Sequence, residues 1–344
     1  MKGNHIGEII STHTPELFKA AVEKAAALLK SGKVVALPTE TVYGLAANAM
    51  DPIAVAKIYE IKGRPAHNPI IVHVCSREMA ARCVREWPEA AERLALAFWP
   101  GPLTLVLPRS ALVPDIVTAG GPTVGVRWPS HPFIQAVIAA CDFPLAAPSA
   151  NPSNELSPTN AQHVAQKLGS KIPLIVDGGQ SQIGIESTVL DLSSGPARIL
   201  RPGIIHEESL LAVLGPGGLA RMPGETAPSP LRSPGLLRKH YAPKARVLIR
   251  NWTSEEDLAS QLAAESFSPE EAYVIAHTHI PLRQDFCRVC VIPHDAEAYA
   301  RAIYNELHRC DEEAAKLIVL EKVPDTSEWQ GIADRLKRAS ADEE

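Results

Sequence analysis

The chain has 344 residues, of which 46% are hydrophobic and 21% charged, and its formal net charge is −5. This length exceeds the size at which one hydrophobic core usually stops growing, so we expect two domains. The composition excludes disorder over most of the chain, and no apolar run reaches the length of a membrane span. The N-terminus lacks an apolar segment followed by a small-residue cleavage site, so we expect a cytoplasmic protein without a membrane partner.

The charge is divided unevenly along the chain. Residues 1–245 carry 23 Lys and Arg against 19 Asp and Glu, a balance of +4, whereas residues 246–344 carry 11 against 20, a balance of −9. An anionic ligand is therefore expected in the first part. The basic excess is modest and no basic run is interleaved with aromatic residues, which favours a small phosphate ligand over nucleic acid.

Capping signals place the first helices. Thr14-Pro15-Glu16 and Asp51-Pro52 are typical helix starts, and Gly32 and Gly63 end the two helices. Buried strands are expected at 33–37 and 70–74. The same patterns predict further strands at 103–107, 124–126, 145–147 and 174–176, a hairpin of 187–192 with 197–200, and helices over 76–86, 88–98, 132–140 and from Ser157 to 168.

The composition changes in the last third of the chain. Residues 215–245 contain six prolines and five glycines and predict a stiffened linker. After it, β and α segments alternate, which favours a small, mostly parallel α/β domain. We therefore predict a mixed α/β first domain over 1–212, a linker over 213–245 and a second α/β domain over 246–344.

The usual catalytic signatures, such as a Walker loop, HExxH or GxSxG, are absent from the sequence. Cations instead stand at the ends of predicted elements, the placement expected of functional loops on a rigid scaffold. Arginine and lysine there suit carboxylate and phosphate groups, and loop hydroxyls complete a predicted polyanion pocket. These cations are Lys62, Arg64, Arg127 and Arg201, and the hydroxyls belong to Thr39, Thr41, Ser149, Ser157 and Ser187.

Some residues allow two interpretations. His73 ends a buried strand, where its nitrogens could simply be satisfied by backbone groups, and Asn68 could be only a turn residue before Pro69. Cys287 and Cys290 could form half a zinc site or a redox pair. Residues three apart on a strand point to opposite faces, which argues against a shared metal.

Several segments resemble one family in order and spacing. They are similar to the signature of the YrdC/Sua5 family of threonylcarbamoyl-AMP synthases. The matching segments are 38–45 (PTETVYGL), 62–65 (KGRP), 68–69 (NP), 148–151 (PSAN), 186–189 (ESTV) and 201–203 (RPG). The segments 234–235 (PG) and 240–243 (HYAP), followed by the α/β tail, resemble the long, two-domain Sua5 form.

The resemblance implies a fold and an activity. The fold would be a twisted, mixed α/β YrdC-like catalytic domain followed by a smaller Rossmann-like Sua5 domain. The enzyme, a nucleotidyltransferase, would condense L-threonine, bicarbonate and ATP into L-threonylcarbamoyladenylate and pyrophosphate. A separate tRNA threonylcarbamoyl-transferase would then use this product to form N6-threonylcarbamoyladenosine in tRNA, and the synthase itself would bind tRNA weakly at most.

The resemblance also assigns residues. The threonine pocket falls on Thr41, His73, Arg127, Ala147 through its backbone, and Ser187, with Arg127 taking the carboxylate. The ATP contacts fall on Arg64, Asn68, Thr123, Ser149, Ser157, Arg201 and Tyr241. Lys62 and Arg64 would act as the catalytic cations, together with a Mg2+ that bridges phosphates, and no protein ligand to a metal is assigned.

The required chemistry agrees with this pocket, because neither the formation of the carbamate nor the attack of the carbamate on the α-phosphorus needs a protein nucleophile. Catalysis would consist of positioning and charge neutralisation. The linker would be either a spacer or a lid that shelters labile intermediates from water, and the HYAP segment favours the lid. The alternative function is a non-catalytic RNA-binding module that uses the basic face of the first domain.

Overall fold

The computed structural model describes residues 7–220, 240–282 and 285–341. The chain divides into two compact units. Unit 1 comprises residues 1–153 and 157–236, and unit 2 comprises residues 154–156 and 237–344. The predicted domain boundaries after residues 212 and 245 stay predictions, and most of the predicted linker, residues 221–239, lies outside the described residues.

Unit 1 is built on a ten-stranded mixed sheet with the order β1-β8-β2-β3-β7-β4-β6-β5-β9-β10. The strands are β1 (Glu8–Ser11), β2 (Val35–Leu37), β3 (Gly44–Asn48), β4 (Val72–His73), β5 (Leu103–Pro108), β6 (Thr123–Arg127), β7 (Leu145–Ala146), β8 (Leu174–Asp177), β9 (Thr188–Asp191) and β10 (Arg198–Arg201). The helices are α1 (Pro15–Lys30), α2 (Pro52–Lys62), α3 (Arg77–Cys83), α4 (Glu89–Phe98), α5 (Pro132–Cys141), α6 (Ala161–Leu168) and α7 (Glu207–Leu214).

Local sequence signals explain where the first helices begin and end. The Thr14 side chain accepts a hydrogen bond from the backbone N–H of Leu17, and Asp51 accepts from those of Ile53 and Ala54, so both predicted N-caps are confirmed. Gly63 ends α2 with a left-handed conformation (φ +60°), which glycine adopts without strain. The end of α2 therefore projects Lys62 and Arg64 from a fixed turn.

Other predictions were wrong in extent. The helix expected from Ser157 begins only at Ala161, because Asn160 supplies the N-cap by accepting from the His163 N–H, while the Ser157 hydroxyl donates to Glu186. The strand expected over 70–74 is paired only at Val72–His73. The helix α7 and the strands β1 and β3 were not predicted.

Unit 2 contains a four-stranded sheet, β11-β14-β12-β13, in which all pairs are parallel. Its elements are β11 (Arg246–Arg250), α8 (Glu255–Ala264), β12 (Ala272–Ala276), β13 (Arg288–Val291), α9 (Ala296–Glu312), β14 (Leu317–Glu321) and α10 (Gln330–Ala339), with short 3-10 turns at Pro269–Glu271 and Ser327–Trp329. The predicted fold class, a large mixed α/β unit with a smaller parallel one, is confirmed. Among the residues described above, no helix combines the length and apolar character needed to cross a membrane.

Candidate active site

The turn that follows β2 is the centre of the candidate site. Thr39 Oγ1 accepts the backbone N–H groups of Thr41 and Val42, both at 3.2 Å, and donates to the Val42 carbonyl at 2.6 Å. A hydroxyl that replaces backbone partners in this way stabilises a tight turn. The turn holds the Thr41 side chain in the interior, where it is 1% exposed.

Arg127, the last residue of β6, reaches this turn. Its Nη1 donates to Thr41 Oγ1 at 2.9 Å, its Nη2 to Glu40 Oε1 at 2.6 Å and its Nε to the Gly101 carbonyl at 3.2 Å. A guanidinium carries five N–H groups, so the described residues leave two for a ligand. Two N–H groups on one planar cation match a carboxylate.

Glu40 is buried beside this cation. Burial acts to raise the pKa of its carboxyl, but the Arg127 charge and the Ser130 backbone N–H outweigh burial and lower that pKa below its ordinary value. Glu40 therefore stays ionised near neutral pH. Its second oxygen, Oε2, has no hydrogen-bond partner among the described residues.

His73 lies next to Arg127, because the two residues are paired across the parallel strands β4 and β6. Burial and the neighbouring Arg127 charge lower the pKa of His73 to about 3, so its imidazole is neutral near pH 7. Its Nδ1 is buried and has no partner in the described part of the chain. Buried polar atoms of this kind are uncommon and indicate a position where a ligand or water completes the hydrogen bonds.

A second hydroxyl cluster adjoins the first. Ser187 Oγ lies 2.8 Å from Thr104 Oγ1, and Thr104 is on β5, the strand next to β6. Arg201, at the end of β10, donates through Nη2 to Ser187 Oγ at 3.1 Å and to the Ser187 carbonyl at 2.9 Å. This cluster brings a second buried cation to the site.

The basic elbow after α2 is internally braced. Arg64 Nη2 donates to Asn68 Oδ1 at 2.7 Å, and its Nε donates to the Asn68 carbonyl at 2.9 Å. Lys62 Nζ donates to the Ser149 carbonyl at 2.6 Å and also to the Asn151 carbonyl. Lys62 thus ties the elbow to the turn at 148–153.

Comparison with known proteins decides the family. A family model described as "Telomere recombination" matches residues 27–203, and one described as "Threonylcarbamoyl-AMP synthase, C-terminal domain" matches residues 205–341. The threonylcarbamoyl-AMP synthase of Bacillus subtilis is 40% identical, over 96% of this chain and 94% of the relative. The chain belongs to the YrdC/Sua5 family.

Relatives of this family cover both units. The threonylcarbamoyl-AMP synthase of Pyrococcus abyssi is 38% identical over 92% of this chain and 93% of its own length. The crystal structure of P. abyssi Sua5 complexed with L-threonine has a TM-score of 0.86 and 38% identity, and the match covers 97% of each chain. The predicted resemblance to the long Sua5 form of the YrdC/Sua5 family is thereby confirmed.

The residues that this family resemblance assigns to threonine come together in unit 1. Direct hydrogen bonding joins Thr41 to Arg127, and strand pairing joins His73 to Arg127. Ala147 donates its backbone N–H to the Ile71 carbonyl at 3.2 Å, beside β4. Ser187 lies at the start of β9, which pairs with β5. Their roles toward threonine stay predictions.

The residues assigned to ATP are more dispersed. Thr123 begins β6, four residues before Arg127, so a ligand touching both ends must extend over about 13 Å. Ser157 Oγ donates to Glu186 Oε1 at 2.5 Å. Tyr241 belongs to unit 2, where it is buried and the Arg335 guanidinium lies 5.4 Å from its ring centroid. These roles toward ATP likewise stay predictions.

Two neighbours of the assigned residues were not singled out from the sequence. Glu40 accepts a hydrogen bond from Arg127, and the Thr104 hydroxyl is hydrogen-bonded to the Ser187 hydroxyl. The Tyr43 hydroxyl, within the same motif, donates to the Gly179 carbonyl at 2.7 Å and accepts the Gly178 N–H at 3.1 Å. The only available signal for Glu40 was an acidic residue between two threonines in an otherwise apolar segment.

The described residues include the cysteines and other possible metal ligands. All six cysteines are free thiols, with Cys287 exposed and Cys290 partly buried. Within residues 7–220, 240–282 and 285–341, no group of three or more His, Cys, Asp or Glu could hold a metal ion. Cys287 and Cys290 are therefore not part of such a group, and the zinc interpretation stays untested.

Proposed function

We propose that this protein is a threonylcarbamoyl-AMP synthase that converts L-threonine, bicarbonate and ATP into L-threonylcarbamoyladenylate and pyrophosphate. The observation that carries the proposal is the near full-length similarity to synthases of that name across both units. The buried cluster around Arg127 supports it, since its two remaining N–H groups suit the carboxylate of an amino acid.

Threonine binds in the cluster around Arg127. Arg127 takes the carboxylate, while Thr41, Ser187 and the neutral His73 supply further polar contacts, His73 through its buried Nδ1. The Ala147 backbone completes the pocket. Because His73 carries no charge near pH 7, it adds a hydrogen-bonding group without a second cation.

ATP binds next to threonine, with Lys62 and Arg64 neutralising charge at the phosphates. Mg2+ would bind as part of the MgATP substrate and add to the charge neutralisation at the phosphates. The remaining proposed ATP contacts are Asn68, Thr123, Ser149, Ser157, Arg201 and Tyr241.

The chemistry rests on orientation. The threonine amine adds to bicarbonate with loss of water, or to CO2 with loss of a proton, and a carbamate oxygen then attacks the α-phosphorus as pyrophosphate leaves, which makes the enzyme a nucleotidyltransferase. No side chain becomes covalently bonded. Arg127 binds the carboxylate end of threonine. Arg201, a proposed ATP contact, is hydrogen-bonded to Ser187, a proposed threonine contact, so this pair of residues connects the two substrates.

The product is passed to a separate tRNA threonylcarbamoyl-transferase, which makes this reaction the first step of N6-threonylcarbamoyladenosine formation in tRNA. We place the protein in the cytoplasm, where these substrates occur. We further propose residues 1–212 as the catalytic domain, 213–245 as a lid linker and 246–344 as the second domain.

Pyrophosphate release tests the function. Purified protein with ATP, bicarbonate and L-threonine should release pyrophosphate, and omission of threonine should abolish the release. Threonine-independent release, or tight tRNA binding without synthesis, would instead favour the RNA-binding module. Unchanged synthesis after deletion of residues 215–244 would reject the lid.

A further inference from the structure

We propose that Glu40 is a positioning residue that fixes the Arg127 guanidinium for the ligand carboxylate. The proposal rests on the proposed function, because it assumes that Arg127 takes the carboxylate of threonine. Glu40 itself is not assigned any contact with threonine or ATP. It acts through Arg127.

The contact is made in the interior. The two charged side chains are 4% and 5% exposed, and Arg127 Nη2 lies 2.6 Å from Glu40 Oε1. Such a pair is screened little by solvent, and removal of one partner leaves the other as an uncompensated buried charge. Arg127 without Glu40 would therefore turn toward other acceptors.

Glu40 also ties Arg127 to the backbone that follows it and is itself held by a backbone hydrogen bond. Oε1 accepts the Ser130 N–H at 3.1 Å as well as the guanidinium, so it fixes the chain just after Arg127. The backbone carbonyl of Glu40 accepts the Ile183 N–H at 2.8 Å. Hydrogen bonds thus fix both the side chain and the backbone of Glu40, so that the side chain keeps the guanidinium plane in one orientation.

Of the three hydrogen bonds that Arg127 donates, the one to Glu40 does most to fix the orientation of the guanidinium. The Thr41 hydroxyl and the Gly101 carbonyl are neutral acceptors at 2.9 and 3.2 Å, whereas Glu40 is the charged acceptor and the shortest contact. Charge-assisted hydrogen bonds are about twice as strong as neutral ones. Loss of Glu40 should therefore disturb the two N–H groups left for the ligand.

The test is threonine binding by the full-length protein, measured calorimetrically without ATP, together with KM for each substrate. Glu40→Ala should weaken threonine binding at least tenfold and raise its KM similarly, while KM for ATP changes less than twofold. Glu40→Gln should recover only part of the affinity, because it keeps the hydrogen-bond acceptor but not the charge that pairs with Arg127. Its amide oxygen can keep both bonds of Oε1, and its NH2 group replaces Oε2, which has no partner among the described residues.

Glu321→Ala is the matched control, because Glu321 is equally buried but belongs to unit 2. It should destabilise the protein without weakening threonine binding. Unchanged threonine affinity in Glu40→Ala, or equal losses in Glu40→Ala and Glu40→Gln, would overturn the positioning role. Failure of the wild-type protein to bind threonine would instead reject the proposed function itself.

Discussion

Each unit contains a buried glutamate close to the end of a strand, and the two glutamates have different partners. Glu40 follows β2 in unit 1 and pairs with a side chain, Arg127, that keeps two N–H groups for a ligand. Glu321 ends β14 in unit 2 and accepts the backbone N–H groups of His277, Thr278 and His279 at 2.7, 2.8 and 3.0 Å. The Glu40 carboxylate thus accepts from a cation and orients it, whereas the Glu321 carboxylate accepts the backbone N–H groups of a loop.

The loop in unit 2 lies where open parallel sheets often bind ligands, at the carboxyl ends of the strands. Its neighbours are also engaged with one another. His277 Nδ1 lies 2.8 Å from His294 Nδ1, and His279 Nδ1 lies 2.9 Å from Glu321 Oε1. The backbone N–H groups of residues 277–279, which could otherwise bind a phosphate, are used by Glu321.

The difference between the two glutamate clusters indicates which of them is suited to binding a substrate. Around Arg127, Glu40 Oε2 and His73 Nδ1 are buried without partners in the described residues. At the carboxyl edge of unit 2, Glu321 already accepts the loop N–H groups, although the Tyr299 hydroxyl, whose ring packs against His277, is also buried without a partner among the described residues. We therefore expect substitutions in the first cluster to change substrate use and those in the second to change stability.

The largest effect is expected for Arg127→Ala. The variant leaves Glu40 buried without its counter-charge, which should lower the free energy of unfolding by about 3–5 kcal/mol. It also loses the cation for the carboxylate, so kcat/KM for threonine should fall by roughly 100- to 1,000-fold, a loss of about 3–4 kcal/mol in binding. Pyrophosphate release measures it, with Arg127→Lys as a variant that keeps the charge. Activity of Arg127→Ala within tenfold of wild type would contradict the assignment.

Glu321→Ala should separate stability from activity. Three backbone N–H groups lose their acceptor, so the free energy of unfolding should fall by about 3 kcal/mol. Both KM values should stay within about twofold, a difference of less than half a kcal/mol. Urea unfolding and steady-state kinetics measure the two quantities. A large rise in either KM would mean that the loop of unit 2 contributes to the site.

Arg64→Ala should affect the nucleotide more than the amino acid. The guanidinium is proposed to contact phosphates, and its loss should raise KM for ATP by about 10- to 100-fold, the range expected when one charged hydrogen-bonding group is removed. Threonine binding should remain close to wild type. Full activity in this variant would show that the ATP contacts lie elsewhere, and circular dichroism would establish that the variant is folded.

The smallest effect near neutral pH comes from His73, whose protonation changes stability only in acid. The pKa of His73 is about 3 when folded, against an ordinary value of 6.5, so between these pH values the unfolded chain binds a proton that the folded chain excludes. Stability is complete above pH 6.5 and falls as the pH decreases toward 3, by up to about 1.4 kcal/mol per pH unit.

His73→Asn should remove this component. Unfolding free energies between pH 7 and 4 compare the two proteins, and the wild-type protein should show the steeper slope. Identical slopes would mean that folding does not lower the pKa of His73.

The sequence by itself determined many of the elements and the family. Thr14 and Asp51 mark helix starts through hydrogen bonds within three residues, and the parallel strands of unit 2 follow from alternating local patterns. The motif at 38–45 and its spacing to the later motifs carried the resemblance. The local signal at Ser157 was misleading. The pattern predicted that this residue starts a helix, but its hydroxyl donates to Glu186, a carboxylate distant in sequence.

Only the tertiary structure decided how the site is assembled. Arg127 meets Thr41 and Glu40 across 86 and 87 residues of chain, and Ser187 meets Thr104 across 83. Periodicity and capping describe interactions between residues close in sequence, so they contain no information about these pairs. The strand order places them together, and burial then turns an ordinary acidic residue, Glu40, into the partner that orients Arg127.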